Sequence, residues 1–283
     1  MGDGSDAECA RPPARRWAGL ARYWGYARRP LVELRTRRSS LPLGWVRSWV
    51  YAYILVAFWR AVYGHTAQEA GYTLGQIVSY VVAGQVLNAV LVSTAQERLS
   101  QGVRQGTVIL DLLRPVALPL ALLADGAGMA LGSIFSHGIP MLIFGVLVLH
   151  MRVPLAPTPL ALVVLLGFLG FALLQLLDGL IAYSAFWTVR TQGLDRLVNW
   201  IVFSLLGGSF VPYAFFPHWA QGLLTWSPLA GLYSDPVQVW VGRMGAAAGL
   251  AAAGRDLFWL AVLMAIQAWV HVRAMRRVIS FGG

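Results

Sequence analysis

Long apolar runs alternate with short polar segments through most of the chain. Soluble cores also contain apolar runs, but those are shorter and are broken by turns. Six runs come close to the roughly 20 residues that an α-helix needs to cross hydrocarbon. The pattern therefore predicts an all-α polytopic membrane protein with six transmembrane helices. These spans lie at about Leu43–Tyr63, Leu74–Ala95, within Leu118–Leu149, within Pro159–Trp187, at Leu197–Val211 and at Leu257–Val272.

Arginine is divided unevenly between two sets of loops. Seventeen arginines lie before the first span, after the last, or between spans two and three and spans four and five, whereas the other loops hold three. Because cytoplasmic loops carry the excess of basic residues, both termini are expected in the cytoplasm. Only 12% of the residues are charged, too few for a water-facing surface. The net charge of +10 therefore indicates membrane topology, and no nucleic acid partner is expected.

Residues 1–42 are expected to form a cytoplasmic tail with an interfacial amphipathic helix, and residues 43–283 the transmembrane domain. The first 16 residues are polar and lack the apolar core of a signal peptide. From Trp17 to Arg38, apolar residues recur at helical spacing between arginines, which is typical of a helix in the membrane interface. Pro30 is expected to divide this stretch into two short helices. The alternative for the segment is a solvated basic tail.

The motifs of common active sites are missing from the sequence. It has no lysine and hence no phosphate-binding loop, and it shows no zinc-protease or nucleophile-elbow motif. An enzyme is therefore not expected, and neither is a cofactor or a metal bound by this chain. Intramembrane polar residues are costly and often functional, so His137, Gln175 and Asp178 are candidates for a transport pathway. A structural polar contact is the alternative for each of them, and a buried Asp178 carboxylate should be protonated or paired.

Two loops are the better functional candidates. The cytoplasmic loop 96–119 is polar, then amphipathic, and closes on Arg114-Pro115, which favours a short element that seats on a soluble partner. An ordinary solvated connection is the alternative. The outer loop 212–254 is too apolar to lie free in water. It is expected to re-enter the outer leaflet as short helices packed on protein.

At these loops the chain resembles the ABC-2 type permeases, in the six-span subfamily encoded apart from its ATPase. The stretch VRQGTVILDLLRPV is similar to the subfamily's Arg-x-Gly-Glu-Leu-Asp stretch followed by Leu-Leu-Arg-Pro-Val. Thr107 and Ile109 replace the acidic pair of that motif, and Asp111 supplies one carboxylate two residues later. The second match is an ordered series of residues after the fifth span, formed by Pro212, Pro217, Pro228, Tyr233, Pro236 and Val241-Gly242.

The resemblance implies one half of an export pathway with alternating access. Two permeases would pair in the bacterial inner membrane, with a heterodimer expected at least as often as a homodimer. Two copies of an ABC ATPase subunit would dock from the cytoplasm and bind ATP and Mg, while this chain would bind no cofactor. The outer gate would include the prolines and Tyr233 of the second match. The implied coupling residues are Glu97, Arg98, Arg104, Gly106, Asp111, Arg114 and Pro115.

Two other functions are compatible with parts of the sequence. A stand-alone secondary transporter or channel would need an ion-coupling site, for which Asp178 is the one evident seed. A membrane enzyme acting on a lipid or isoprenoid would need clustered carboxylates or histidines, and the sequence shows none. The spans are rich in Leu, Val, Phe and Trp, so the transported substrate is expected to be hydrophobic or amphipathic.

Overall fold

The computed structural model describes residues 23–32, 41–64, 66, 68–105, 118–184 and 198–281. Within these residues the chain is almost entirely helical. Gln68–Glu69 and Tyr72–Thr73 form a two-stranded antiparallel hairpin, β1–β2. Short helical turns lie at Val198–Leu205, which is π-helical, and at Tyr213–Phe215, which is 3₁₀. The α-helices are α1 (23–32), α2 (Leu41–Tyr63), α3 (Leu74–Asn88), α4 (Ala95–Gln105), α5 (Leu118–Leu147), α6 (Pro157–Tyr183), α7 (His218–Trp226), α8 (Ser234–Trp240) and α9 (Ala246–Phe281).

Four of these helices, α2, α5, α6 and α9, are long and apolar enough to cross a membrane. This confirms the all-α polytopic membrane protein, while the count of six spans stays a prediction. The second predicted span is the 15-residue α3, which ends at Asn88 and not at Ala95. The fifth is described only from residue 198 onward. The last helix begins at Ala246, well before the predicted start at Leu257.

The N-terminal segment was predicted to break at Pro30, and this prediction is wrong for the described residues. Helix α1 continues through Pro30 to residue 32. Trp24 and Val32 are 62% and 47% exposed, whereas Tyr26 is buried. The helix therefore has the two-sided character expected of an interfacial element.

Local sequence explains how α3 begins. The Thr73 hydroxyl accepts a hydrogen bond from the Gln76 N–H at 3.4 Å, and the Gln76 side chain accepts one from the Thr73 N–H at 3.1 Å. This reciprocal pair is a capping box, which satisfies two of the N–H groups that a helix start leaves free. The preceding hairpin turns at Gly71, whose φ of +79° suits glycine. The Tyr63 hydroxyl donates to the Tyr72 carbonyl at 2.8 Å and holds the hairpin against α2.

A π-helical turn at Ile134–Gly138 interrupts α5. Pro140 follows it and has no N–H to donate to the carbonyl four residues earlier, at Ser136. The Trp45 indole of α2 donates to that carbonyl instead, at 2.5 Å. The turn therefore becomes a contact point between α5 and the first part of α2.

Small residues bring the helices and connecting segments into close contact, as in other membrane helix bundles. A Cβ added at Gly84 of α3 would lie 1.9 Å from the Ser209 carbonyl oxygen. One added at Gly170 of α6 would lie 2.4 Å from the Gly231 carbonyl oxygen. Helix α6 is central, since it packs against α9, α8, α5 and α4.

The two ends of the bundle carry different elements. One end, here called the α4 end, joins α4 to the start of α5, the end of α6 and the late part of α9 in one hydrophobic cluster. The opposite end carries Arg152, Arg243 and Arg255, the three arginines assigned to the outer loops. The Trp240 indole donates to the Arg152 carbonyl at 3.0 Å, and Arg243 donates to the Gly71 carbonyl at 2.9 Å.

Candidate functional site

Helix α4 has one buried face and one exposed polar face. Ala95, Gln96 and Leu99 are buried, whereas Glu97 and Gln101 are exposed. Leu99 packs in the cluster that joins α5, α6 and α9. The Gln101 side chain donates to the Glu97 carboxylate at 3.1 Å on the exposed face. Helix α4 is therefore attached to three long helices and still has exposed polar groups on its other face.

Two buried carboxylates from different long helices hold the start of α4. Asp178 of α6 accepts hydrogen bonds from the Ser93 hydroxyl at 2.6 Å and from the Gln96 N–H at 3.3 Å. Asp125 of α5 accepts one from the Thr94 hydroxyl at 2.8 Å. The first N–H groups of a helix lack intrahelical acceptors and carry partial positive charge. Asp178 therefore caps α4 from outside its own sequence, while Asp125 binds side chains at the start of α4.

Arg98 adds an ion pair to the contact between α4 and α5. Its Nη1 lies 2.7 Å from Asp125 Oδ1, without the alignment of a hydrogen bond. The Arg98 side chain is 29% exposed and that of Asp125 is 7% exposed. Because a buried carboxylate is costly unless it is paired, Arg98 and Thr94 together compensate the burial of Asp125.

Gln175 extends this network along α6. Its side-chain amide donates to the Val92 carbonyl at 2.8 Å, and its oxygen lies 3.1 Å from the Ser93 hydroxyl oxygen. The single Ser93 proton favours the shorter contact to Asp178. A Cβ added at Gly126 of α5 would lie 2.6 Å from the Gln175 side-chain oxygen, so glycine there leaves room for the amide. Gln175, Asp178, Asp125, Ser93, Thr94 and Arg98 are called the α4 clamp below.

Helix α1 lies beside the α4 clamp, next to α5 and Arg98. A Cβ added at Gly128 of α5 would lie 2.0 Å from the Ala27 carbonyl oxygen, so the two helices touch at this glycine. Two guanidinium groups lie near the Tyr26 ring, that of Arg29 at 4.9 Å and that of Arg98 at 5.9 Å from its centre. The amphipathic N-terminal helix and α4 therefore share one contact region.

The structure describes some of the predicted coupling residues. Glu97 and Arg98 lie on α4, and only Arg98 is part of the α4 clamp. Arg104 lies in α4, and its side chain is outside what the structure describes. Gly106, Asp111, Arg114 and Pro115 lie outside the described residues. The assignment of these residues to ATPase coupling stays a prediction.

The three candidate pathway residues lie in two places. Gln175 and Asp178 belong to the α4 clamp. His137 lies in the π-helical turn of α5, where its Nδ1 is 2.8 Å from the Ser136 hydroxyl. A Cβ added at Gly44 of α2 would lie 3.2 Å from His137 Nε2. The described contacts of His137 thus lead to α2, and a role for the three residues in transport remains a prediction.

The predicted re-entrant segment contains the short helices α7 and α8 in the described residues. Pro212 and Pro236 are buried, Pro217 is exposed and precedes α7, and Pro228 is partly buried in the connection to α8. The Tyr233 hydroxyl donates to the Asn88 side-chain oxygen at 2.6 Å, which ties this segment to the end of α3. The function of these residues as an outer gate stays a prediction.

A buried charge cluster in the same region was not predicted from the sequence. The Arg255 guanidinium pairs with Asp235 of α8 and with Asp256 at 2.7 Å, and it donates to the Thr225 carbonyl at 2.6 Å. Asp235 and Asp256 are 1% and 0% exposed. Burial raises the pKa of Asp235, and the Arg255 charge acts against that rise. The Arg255-Asp256 pair was visible in the sequence, but the third member lies 20 residues away.

Residues 49–282 match the family model described as ABC-2 family transporter protein. The chain belongs to the ABC-2 transporter family. The matched range contains the whole α4 clamp, the segment with α7 and α8, and the Arg255 cluster. No curated protein and no solved structure matches the chain.

Membership of the ABC-2 family confirms the resemblance and supports a permease component of an ABC transporter. It also supports a multi-pass membrane protein that works with an ABC ATPase. Among the described residues, no group of three or more His, Cys, Asp or Glu could hold a metal ion.

Proposed function

We propose that this chain is the permease subunit of an ABC exporter and that α4 receives the movement of a separate cytoplasmic ATPase. The observation that carries the proposal is the way α4 is held. Its polar face is exposed, while Asp125 and Asp178 bind its first turn from two long helices. A partner that displaces α4 therefore pulls on α5 and α6 together.

The energies involved are compatible with such a role. To move a two-state equilibrium from 1:99 to 99:1, binding must favour one state by about 5.5 kcal/mol. Hydrogen bonds to charged groups contribute about 1.5–3 kcal/mol each. The Asp125 and Asp178 carboxylates accept three such bonds, from Ser93, Thr94 and Gln96, and Arg98 adds an ion pair. The α4 clamp can therefore sustain a free-energy difference of this size between the two states without breaking.

The complete transporter would contain two permease chains and two copies of the ATPase, which bind ATP and Mg. The permease chains are proposed to form a heterodimer at least as often as a homodimer. The complex would lie in the bacterial inner membrane with both permease termini in the cytoplasm. The exported substrate would be hydrophobic or amphipathic, in keeping with the apolar character of the spans.

Charge reversal tests the coupling role. Arg104→Glu and Arg114→Glu, each in the complex with its ATPase, should abolish transport and substrate-stimulated ATP hydrolysis while leaving membrane insertion intact. Arg60→Glu is the matched control, since it reverses the charge of an exposed arginine in the last turn of α2, away from the α4 end. Normal transport and normal stimulated hydrolysis in both test variants would show that the coupling assignment is wrong.

A transport assay without the ATPase tests the alternative, a stand-alone transporter or channel that uses Asp178. Vesicles containing the permease without any ATPase would be given a proton gradient or ATP. The proposed permease transports in neither case. Transport driven by the proton gradient alone would favour the secondary transporter.

A further inference from the structure

An apolar pocket of about 510 Å³ lies between α3, α5, α6 and α8, and none of its lining residues belongs to the α4 clamp or the Arg255 cluster. All of its lining residues are apolar, and the indole nitrogen of one tryptophan is the only polar side-chain atom among them. That nitrogen is already bonded to a backbone carbonyl. The lining residues include Ala83, Ala130, Val164, Gly167, Phe168 and Trp240. Such a pocket offers no compensation to a charged or polar ligand group.

The pocket opens sideways from the helix bundle. Leu131, Val164 and Phe168 lie along it and are 50%, 71% and 67% exposed. Ala83 and Ala130 are buried, at 3% and 6% exposure, and have small side chains. Because α5 and α6 are candidate membrane spans by length and composition, these exposed apolar side chains are expected at the depth of the hydrocarbon. The pocket is thus a cleft that a hydrocarbon chain can enter from the membrane.

The volume of the pocket suits one long chain. An apolar cavity of about 150 Å³ holds a benzene molecule, so 510 Å³ corresponds in proportion to roughly twenty carbon atoms. A protein helix about 10 Å wide displaces about 420 Å³ in each turn. The pocket would therefore hold little more than one turn of a second copy of the chain. Its size favours a linear hydrocarbon chain over a helix.

The backbone of one arginine, Arg152, adjoins the Trp240 wall of the pocket. The Trp240 indole, part of the pocket wall, donates to the Arg152 carbonyl at 3.0 Å. The Arg152 N–H donates to the Ser79 hydroxyl at 3.0 Å, so the backbone of this residue is fixed at two points. Arg152 is exposed and follows the end of α5, at the boundary of the apolar segment. An anionic head group at that boundary would be complementary to its charge.

We infer that this pocket binds one hydrocarbon chain of an anionic membrane lipid, with the head group beside Arg152. The apolar lining recognises the chain, and the arginine selects the sign of the head group. Binding needs only this chain and the membrane, so the inference stands apart from coupling to an ATPase.

Filling the pocket tests the inference. The probe is hexadecyl phosphate with a diazirine at the end of its chain, added to the purified protein in zwitterionic nanodiscs. A Cβ at Gly167 would meet only Leu87, at 3.7 Å, so Gly167→Leu adds a side chain at the pocket wall with no clash at its Cβ. Photolabelling of the 157–171 peptide should fall at least fivefold in this variant. It should be unchanged in Gly254→Leu, the control at a helical glycine with nothing within 4 Å.

Thermal unfolding in the nanodiscs shows whether each variant is folded. If Gly167→Leu does not fold, Ala130→Leu blocks the same pocket from α5. Equal labelling of the wild type and a folded, blocked variant overturns the inference.

Arg152→Gln tests the head group separately. It should reduce labelling by the phosphate probe at least threefold and leave labelling by the matching hexadecanol probe unchanged. No change with either probe would overturn the assignment of the head group. Val164→Cys in a Cys9→Ser background tests a second copy as the occupant. A disulfide-linked dimer at this position would overturn lipid binding in favour of a protein interface.

Discussion

At the scale of single residues, Asp178 shows how a carboxylate is accommodated in an apolar stretch. Burial of this charge is evidently costly, because the other seven residues from Leu173 to Leu180 are leucine, glutamine or glycine and offer no charge to pair with it. The compensation comes from Ser93 and Gln96, more than 80 residues earlier in the chain. The sequence could therefore indicate that Asp178 needs a partner, and only the fold could identify it.

Removal of the Asp178 carboxylate should loosen the start of α4. In Asp178→Ala the Gln96 N–H and the Ser93 hydroxyl lose an acceptor in a buried place, which costs about 1–3 kcal/mol. Amide hydrogen exchange of residues 94–98 should accelerate about 5-fold to 150-fold. Asp178→Asn is the matched control, since it keeps one acceptor oxygen and should have a smaller effect. Exchange at the wild-type rate in Asp178→Ala would contradict the role of this carboxylate.

At the scale of elements, the boundary between α3 and α4 shows where hydropathy misleads. The apolar run continues through Ala89–Val92, and the sequence therefore predicted a span to Ala95. The helix ends at Asn88, and residues 89–91 form only a turn, whose N–H groups bond back to the Val86 and Leu87 carbonyls. The Val92 carbonyl accepts from Gln175, and the Thr94 hydroxyl donates to Asp125. By contrast, α2 and α6 lie close to their predicted runs, at Leu41–Tyr63 and Pro157–Tyr183.

The contact between α1 and α5 depends on Gly128, where a larger side chain would meet backbone. A Cβ there would lie 2.0 Å from the Ala27 carbonyl oxygen, so Gly128→Leu should displace α1. The measurement is the rate of maleimide modification of Tyr26→Cys in a Cys9→Ser background. That rate should rise about tenfold or more, because Tyr26 is only 8% exposed in the native protein. Gly254→Leu is the control and should leave the modification rate unchanged. Equal rates in Gly128→Leu and Gly254→Leu would show that α1 does not pack against Gly128.

The Arg255 cluster joins α9 to α8 and to the end of α7. Loss of one partner from a buried ion pair costs about 3–5 kcal/mol, because the opposite charge stays buried and unpaired. Arg255→Met should therefore lower the melting temperature of the purified protein substantially. The triple variant with Asp235→Asn and Asp256→Asn should recover part of that loss. If the triple variant is less stable than Arg255→Met, the carboxylates are not the reason for the loss.

The pH dependence of the Arg255→Met variant follows from the same cluster. Burial raises the pKa of Asp235 above its ordinary value of 3.8, and loss of Arg255 removes the opposing influence. A group whose pKa is raised by folding stabilises the protein at low pH and loses that effect as pH rises through the folded pKa. The melting temperature of the variant should therefore fall more steeply than that of the wild type from about pH 4 upward.

At the scale of the whole molecule, helix α6 links both functional regions. Near its start it lines the apolar pocket, at Gly170 it touches the Gly231 carbonyl, and near its end it supplies Gln175 and Asp178 to the α4 clamp. The sequence predicted the membrane class and the family, since both depend on composition and local motifs. The α4 clamp and the Arg255 cluster depend on contacts between distant segments, for which the sequence has no local signal.

The orientation of the molecule can be tested with two cysteines at opposite ends. The distribution of seventeen arginines against three predicts that the α4 end faces the cytoplasm. Gln101 on α4 and Gln68 on the β1–β2 hairpin are both exposed. In a Cys9→Ser background, Gln68→Cys should react with a membrane-impermeant maleimide added to spheroplasts. Gln101→Cys should react only after the membrane is opened. The reverse pattern would show that the protein has the opposite orientation, with α4 out of reach of a cytoplasmic ATPase.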